Sequence, residues 1–304
     1  MSPSQIIIFD QPRSASHLLQ RILSKQPKLK HASARGFLGD ARGQQVGWLM
    51  QENWKDGMSA EDEAKFRKQI EESAADWMAD VKDCQKKGLI SVPMDHPISA
   101  MSPQQITKFI QTTPDHQGLI PQSANPTILP DELLLYPGTV PILTIRNPRL
   151  SVPSAYRVLN RMGLPHGSGR PNFLISTATF WNRLLYEYYT ANGIQPLVID
   201  ADDVITSRDF SRQLCSKLGL DPELAHFQWE RGDKEKYHPM EYASQTTLIE
   251  SSGIDQSKAA KNLDLDELEK KWDEEFGEDA SLIREAVAAA MPDYEWLFER
   301  KLKF

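Results

Sequence analysis

Four short apolar runs most constrain what this chain can fold into, because each is followed by loop residues and then by a helical pattern. The runs are Ile6–Phe9, Leu89–Pro93, Pro141–Ile145 and Pro196–Ile199. Short, β-branched runs bounded in this way are typical of buried parallel strands. Their repetition predicts an α/β fold of three layers, with a central parallel sheet between helices. Ligands of such sheets bind beyond the carboxyl ends of the strands, so the residues after each run are candidates for function.

The spacing of the runs predicts one domain over residues 1–304, with insertions near 35–87 and 112–130. In the first insertion, Ser59–Lys87 is predicted to form one or two helices with Ser59 as the N-cap. The second insertion is rich in Pro, Gln and Asn, which favours a loop. The tail Asn262–Phe304 has apolar residues at helical spacing and is predicted to pack back onto the domain. Its acidic run, Asp264–Glu278, is predicted to be a solvated helical face rather than a metal site.

Composition limits the partners and the location. The formal net charge of −7 argues against a general nucleic-acid binder, which needs a basic excess, but not against a nucleotide. Cys84 and Cys215 are far apart and match no metal motif. No apolar stretch approaches the roughly 20 residues that span a bilayer, and the N-terminus lacks the pattern of a signal peptide. We therefore expect a cytoplasmic protein without a membrane segment or a metal.

The segment Ile6–Leu23 (IIIFDQPRSASHLLQRIL) combines a strand, a tight loop and a helix. A helix that begins after a strand presents main-chain N–H groups and the positive end of its dipole, which suits an anion. Arg13 adds a cation to this turn, and three further side chains add donors: Ser14, Ser16 and His17. In the alternative, a serine only caps the helix and Arg13 is solvated. The loop lacks Gly-Lys-Ser/Thr, so ATP hydrolysis is disfavoured and a metal-independent transfer is favoured.

The segment Leu143–Leu159 (LTIRNPRLSVPSAYRVL) repeats this design at another strand end. Arg146 follows the strand, Ser151 is predicted as the N-cap of the next helix, and Pro153 is predicted in its first turn. Ser154 lies eight residues after Arg146. A guanidinium and a hydroxyl so placed can bind one phosphate together. The alternative is an arginine paired with a nearby acid and a serine that caps the helix.

Together, the two segments resemble those of sulfotransferases that use 3′-phosphoadenosine 5′-phosphosulfate (PAPS). Pro-Arg-Ser-x-Ser followed by Leu-Leu resembles their 5′-phosphosulfate loop, and Arg-Asn-Pro-Arg with a serine eight residues after the first arginine resembles their 3′-phosphate motif. The stretch PLVIDADDVI is similar to the family strand that carries an acidic pair. The resemblance covers about Ile6 to Leu220 and is to a fungal branch of this P-loop-like family. A weaker likeness, in TLIESSGIDQSKAAKN, is to a loop that closes over the cofactor through Ser252, Gly253 and Lys258.

The resemblance implies a sulfotransferase that moves a sulfuryl group from PAPS to a hydroxyl or amine of a small molecule, releasing adenosine 3′,5′-bisphosphate. It implies that Arg13 contacts the leaving group and that Arg146 and Ser154 bind the 3′-phosphate. The 5′-phosphate would be bound by the loop residues Ser14, Ala15, Ser16 and His17. Two of these depart from the family, which usually has Gly at the position of Ala15 and Thr at that of His17.

A general base is needed for the acceptor, and His96 is the first candidate because it follows the strand Leu89–Pro93 at its carboxyl end. Asp95 beside it is predicted to orient the ring or share the role, and His17 is the second candidate base. Aromatic residues and one methionine are candidates for an acceptor pocket, although core packing is favoured for each of them: Trp48, Met50, Trp54, Trp181, Tyr186 and Tyr188.

Three other functions stay open on sequence alone. Sulfation could activate a hydroxyl for elimination or cyclisation. The protein could bind adenosine 3′,5′-bisphosphate or PAPS with diverged catalysis, as the changes at Ala15 and His17 would allow. A small-molecule kinase is the last alternative, against which the missing Gly-Lys-Ser/Thr stands. The sequence determines neither the acceptor nor the oligomeric state.

Overall fold

The computed structural model describes residues 2–31, 47–48, 58–111, 124–162 and 170–304. The strands are β1 Gln5–Asp10, β2 Leu29–His31, β3 Ile90–Val92, β4 Met94–Asp95, β5 Thr139–Ile145 and β6 Leu197–Asp200. The helices are α1 Ser16–Leu23, α2 Ala60–Lys86, α3 Pro97–Ala100, α4 Pro103–Gln111, α5 Asp131–Leu134, α6 Pro148–Arg161, α7 Arg170–Thr177, α8 Phe180–Ala191, α9 Ala201–Thr206, α10 Arg208–Lys217, α11 Pro239–Glu250, α12 Leu265–Lys270, α13 Trp272–Phe276 and α14 Ala280–Glu299.

The strands form a mostly parallel sheet in the hydrogen-bonded order β2–β3–β1–β5–β6, with β4 paired to β1. The pairs β1–β3, β1–β4 and β2–β3 are parallel. All four predicted strands are present, and the predicted three-layer α/β fold is confirmed. The sequence analysis missed β2 and β4, which have only three and two residues and so carry too little apolar pattern to be recognised.

The chain divides into two compact units. The first contains Met1–Gln11, Lys28–Leu143 and Ser168–Leu197, and the second contains Pro12–Pro27, Thr144–Gly167 and Val198–Phe304. A single domain with insertions stays a prediction. Within the first insertion, the helix of Ser59–Lys87 is one uninterrupted element, α2, and the side chain of Ser59 caps it as predicted. Of the predicted loop at 112–130, residues 112–123 lie outside the described part of the chain.

The first unit has its core around β1, whose six residues are all buried. Because apolar side chains cover both faces of this strand, it reads as a continuous apolar run rather than an alternating one. Trp181 and Tyr188 are buried in the same unit, and their polar atoms donate to the carbonyl of Ile175 and the carboxylate of Asp131. Core packing is thus the observed role of both aromatic residues, whereas Met50 and Trp54 lie outside the described residues.

The second unit packs α1, α6, α9, α10 and the C-terminal helices together. The tail forms α12, α13 and α14 as predicted, and its apolar positions Trp272, Ile283 and Leu297 are buried. The acids of Asp264–Glu278 lie on the surface, where several pair with arginines, as Glu275 does with Arg157. In the described part of the chain, no three or more His, Cys, Asp and Glu side chains converge as a metal site. None of the described helices is both long and apolar enough to span a membrane.

The helix start predicted for the second phosphate segment is wrong in detail, and the serine cap weighed as the alternative for the first segment is not observed. Helix α1 begins at Ser16 with Ala15 at the N-cap, so no serine side chain caps it. Helix α6 begins at Pro148, because the side chain of Asn147 accepts from the N–H of Arg149 and proline suits the first helical position. Ser151 is therefore not the cap, and Pro153 and Ser154 lie beyond the first turn.

Candidate functional site

The loop before α1 is held in an unusual backbone conformation. Arg13 has φ of 68° and Ala15 has φ of 63°, both in the left-handed region that glycine adopts without cost. The first hydrogen bond of α1 runs from the N–H of Leu19 to the carbonyl of Ala15. Alanine therefore adopts a left-handed conformation at the position where the family that the sequence resembles usually has glycine.

Arg13 contacts two helices, α6 and α11. Its Nε donates to the hydroxyl of Ser154 at 3.0 Å, and its Nη1 donates to the carbonyl of Ser244 in α11. The sequence analysis expected Ser154 to act with Arg146 on one phosphate, whereas the structure pairs Ser154 with Arg13. Ser244 carries no motif and was missed, because only the folded chain brings α11 to this loop.

Arg146 follows β5 and contacts two main-chain carbonyls. Its Nη1 donates to Arg13 at 3.2 Å, and its Nη2 donates to Lys258 at 2.7 Å. Its Nε is buried and has no hydrogen-bond partner among the described residues. A buried guanidinium N–H without an acceptor is costly, so this atom marks a position that an added acceptor would satisfy.

Arg13 and Arg146, which we call the arginine cluster, are two half-buried cations in direct contact. Burial lowers the pKa of Arg13 to about 10, with further lowering from the charges of Arg146 and Arg161. Burial also lowers the pKa of Arg146, against the opposing effect of Asp202 and Asp200. Both groups stay charged at neutral pH. Within the described residues, no carboxylate lies at ion-pair distance from either guanidinium, and every acceptor they contact is a neutral oxygen.

The loop after α11 is held to α9 by Asp202. The carboxylate of Asp202 accepts from the N–H of Ala260 at 2.8 Å and from that of Lys261 at 3.0 Å. Arg146 holds the same loop by its bond to the Lys258 carbonyl. Asp202 comes from the acidic stretch after β6, to which the sequence analysis assigned no role of its own. Its role emerges only once the chain has folded, because 58 positions separate it from Ala260.

The other predicted cofactor residues are placed as follows. Ser14 is buried and its hydroxyl bonds to Thr144 at 2.6 Å, so only its main chain faces the loop interior. Ser16 and His17 lie in the first turn of α1. The Lys258 side chain lies 3.8 Å from Asp255.

Ser252 and Gly253 lie along a cavity of about 470 Å³ that also contains Arg208 and Arg231. Gly253 forms an isolated bridge with Gln228, and a Cβ added to it would meet the Phe227 carbonyl at 3.3 Å. The main chain at Gly253 is therefore in close contact with the neighbouring strand-like segment. No described contact joins this pair to Arg13, so a shared cofactor role stays a prediction.

His96 belongs to the first unit and lies directly after β4. Its Nδ1 is 2.9 Å from the main-chain carbonyl oxygen of Asp10 and 3.1 Å from Oδ1 of the same residue. Asp95, which the sequence analysis expected to orient the ring, instead accepts from the main-chain N–H of His96 at 2.7 Å and from the hydroxyl of Ser99 at 3.3 Å. The ring partner is therefore Asp10, which the sequence analysis missed.

Comparison with known proteins finds two fungal relatives and one similar solved structure. No model of a known protein family matches it. It is 35% identical over 195 residues to the sulfotransferase ppzF of Metarhizium majus (strain ARSEF 297), and 33% identical over 195 residues to that of Metarhizium rileyi (strain RCEF 4871). Each match covers 59% of this chain and 57% of the relative, so the chain spans little more than half the length of either relative.

One solved structure is also similar, the sulfotransferase domain from the Synechococcus PCC 7002 olefin synthase. It has 17% sequence identity and a TM-score of 0.45 over 84% of this chain and 86% of that domain. A likeness at that level does not bear on function. The curated relatives confirm the resemblance that the two phosphate segments indicated, since 195 residues of this chain are similar to fungal sulfotransferases.

Proposed function

We propose that this protein is a PAPS-dependent sulfotransferase acting on a hydroxyl or amine of a small molecule. The observation that carries the proposal is the arginine cluster, in which two half-buried guanidiniums contact only neutral oxygens among the described residues. Removing two cations from water without an anionic partner is costly, and a bound phosphate would offset that cost. The identity to fungal sulfotransferases supports a sulfated nucleotide as the source of the phosphates.

The residues present fit such a nucleotide. Arg13 and the main-chain N–H groups at the start of α1, with Ser16 and His17, would hold the 5′-phosphate end. Arg146, whose Nε is buried without an acceptor, would hold the 3′-phosphate with Ser154. Lys258 is tied to Arg146 by its carbonyl, so its loop would cover the nucleotide. When bound, PAPS supplies a sulfuryl group that forms a bond to the acceptor as the bond to its 5′-phosphate oxygen breaks.

The protein's own groups have two tasks in that transfer. Arg13 would stabilise the charge that develops on the departing 5′-phosphate oxygen, which is the main electrostatic requirement of phosphoryl-type transfers. His96 would take the proton of the acceptor hydroxyl or ammonium.

The test begins with calorimetry of adenosine 3′,5′-bisphosphate and of adenosine 5′-phosphate at fixed ionic strength. We expect the bisphosphate to bind at least about 10-fold more tightly, since a charge-assisted contact to the extra phosphate contributes about 1.5–3 kcal/mol. Equal affinities would remove the 3′-phosphate site from the proposal. Mass spectrometry then follows PAPS with 4-nitrophenol, 2-phenylethanol and 2-phenylethylamine as phenol, alcohol and amine probes.

The product decides among the alternatives. A sulfated probe supports transfer. A product lighter than the starting acceptor by one water would indicate that the sulfated acceptor has lost sulfate, so that sulfation activates a leaving group. Tight nucleotide binding without any product from a broad acceptor panel would favour a binding protein with diverged catalysis. Turnover that requires ATP and Mg²⁺ would instead indicate a kinase.

A further inference from the structure

We propose that Asp10 is a positioning residue for His96, so that the two form a histidine–carboxylate pair that handles the proton of the acceptor; this rests on the proposed function. The pair is built by strand register. In the parallel pairing of β1 with β4, Ile8 lies opposite Met94 and Phe9 opposite Asp95. The same register brings the next residue of each strand, Asp10 and His96, side by side.

The contacts of Nδ1 determine the tautomer of the ring. Both oxygens near Nδ1, the carbonyl oxygen and Oδ1 of Asp10, are acceptors, at 2.9 and 3.1 Å. Nδ1 must therefore carry the hydrogen, and the lone pair of the neutral ring is on Nε2. A ring of this tautomer accepts a proton at Nε2, as a general base requires.

The two oxygens of Asp10 have different tasks. A single N–H points at one acceptor, and the hydrogen bond goes to the main-chain carbonyl. The carboxylate at 3.1 Å then acts chiefly through its charge. Asp10 is buried, whereas the side chain of His96 is 30% exposed, so the charge acts in a poorly solvated place. It would stabilise the imidazolium that forms when the acceptor proton moves to Nε2, and the proton is then released from Nε2 to solvent.

Asp95 provides a matched comparison. It is an equally buried aspartate at the end of the neighbouring strand, one residue from His96. Its Oδ1 contacts the main-chain N–H of His96 and the hydroxyl of Ser99 rather than the ring. Asp95 thus shapes the turn into α3, and Asp10 acts on the imidazole.

The kinetic test is a double-mutant cycle with PAPS and whichever of the three acceptor probes gives product. Asp10→Asn should lower kcat by about 10–100-fold, with KM for the probe and bisphosphate affinity within about twofold of the original. In a His96→Ala background, the same substitution should change kcat by less than about twofold, because its effect passes through the ring. Equal loss in both backgrounds would mean a purely structural role and would overturn the proposal.

The failures of the two proposals are distinguishable. If His96→Ala keeps full turnover, the assigned base is wrong, whereas a large loss in His96→Ala with none in Asp10→Asn overturns the positioning role alone. If no probe is sulfated, nitrogen-15 NMR of histidine-labelled protein tests the pair without turnover, because it reports which ring nitrogen carries the hydrogen. We expect His96, assigned by the signal missing in His96→Ala, to carry its hydrogen on Nδ1.

In the same spectra, the Nδ1 signal should shift in Asp10→Asn more than in Asp95→Asn. A hydrogen on Nε2 in the original protein, or equal shifts in the two variants, would overturn the pair. The fold of each variant is checked by its thermal unfolding midpoint, and a similar midpoint for both asparagine variants makes the comparison a matched one.

Discussion

The arginine cluster and the histidine–carboxylate pair solve opposite electrostatic problems. At the cluster, Arg13 and Arg146 face neutral oxygens only, among the described residues. At the pair, the ring of His96 lies 3.1 Å from a buried carboxylate. A ring beside a buried carboxylate has little to gain from a ligand anion, whereas a guanidinium held only by neutral oxygens has much to gain. We therefore propose anion binding at the cluster and proton transfer at the pair.

The largest expected effect comes from removing His96, the proposed general base of the pair. His96→Ala should lower turnover by about 10²–10⁴-fold, the usual contribution of a positioned general base, while bisphosphate affinity stays within about twofold. Release of adenosine 3′,5′-bisphosphate and calorimetry measure the two quantities. His226→Ala, which removes a histidine whose ring contacts Ser24, is the control and should leave both unchanged. Turnover that survives His96→Ala would transfer the role to His17.

Removing Arg146 from the cluster should instead affect the affinity for the bisphosphate. Arg146→Ala should weaken bisphosphate binding by about 1.5–3 kcal/mol, and binding of adenosine 5′-phosphate by less, because the 3′-phosphate loses its partner. Calorimetry with both nucleotides measures the difference. Arg149→Ala is the matched control, since Arg149 lies in the first turn of α6 and pairs with Asp266 and Glu269. Equal losses for the two nucleotides would mean that Arg146 does not read the 3′-phosphate.

The two regions also differ in how far the sequence predicts them. The cluster follows from two motifs, each placed by a strand end and the helix after it, so Arg13, Arg146 and Ser154 are recognised from local pattern. The partners of these residues are not recognised. Ser244 is 231 positions from Arg13, and it contacts Arg13 through its main-chain carbonyl, which every residue type has. Of the histidine–carboxylate pair, only His96 is predicted from the sequence. His96 stands out as a histidine after a strand, but its partner depends on the register of β4, a strand of two residues.

Helix starts show the same limit on a smaller scale. Ser151 looks like a cap by residue type, yet the chain already turns at Asn147 and Pro148. Competing cap residues within one turn differ by about 1 kcal/mol or less, so tertiary packing decides between them. The fold itself was predictable because it depends on buried apolar runs, and each of those runs buries far more apolar surface than any single helix cap does.

The next prediction tests whether Asp200 already serves as a counter-ion of the arginine cluster. Burial raises the pKa of Asp200 to about 6, and the nearby Asp202 adds to the effect. A carboxyl whose pKa is raised on folding stabilises the fold below its unfolded pKa of about 3.9, and that stability is lost as pH rises through about 6. Asp200→Asn cannot ionise, so it should raise the free energy of unfolding at pH 7.5 by about 1–2 kcal/mol and flatten its pH dependence between 4 and 6.5, roughly the window set by those two pKa values.

Urea unfolding at pH 5 and pH 7.5 measures both quantities. Asparagine keeps the helix cap, because its Oδ1 can still accept from the N–H of Asp202. Asp203→Asn is the control, and it should lower stability slightly by giving up an ion pair with Lys301. If Asp200→Asn is instead destabilising at pH 7.5, Asp200 serves as the counter-ion of Arg146 and the cluster is already neutralised.

The smallest effect concerns the loop that supports the cluster. Ala15 and Ala259 pack in one small apolar group with Ala201 and Ile205, so substituting either by glycine removes a methyl group from the same place. Their backbones differ, since Ala15 has φ of 63° and Ala259 has φ of −76°. Left-handed backbone costs a non-glycine residue about 1 kcal/mol, which Ala15→Gly would release and Ala259→Gly would not.

We therefore expect Ala15→Gly to destabilise the protein less than Ala259→Gly by about 1 kcal/mol, measured as free energies of unfolding in urea. The difference cancels the added freedom of the unfolded chain, which the two variants share, and part of the lost methyl contact, since Ala259 is fully buried and Ala15 partly buried. A difference near zero would mean that the loop relaxes out of the left-handed conformation in solution. Ala15→Gly should then tighten bisphosphate binding if the bound loop is left-handed, whereas a loop equally strained before and after binding predicts an unchanged affinity.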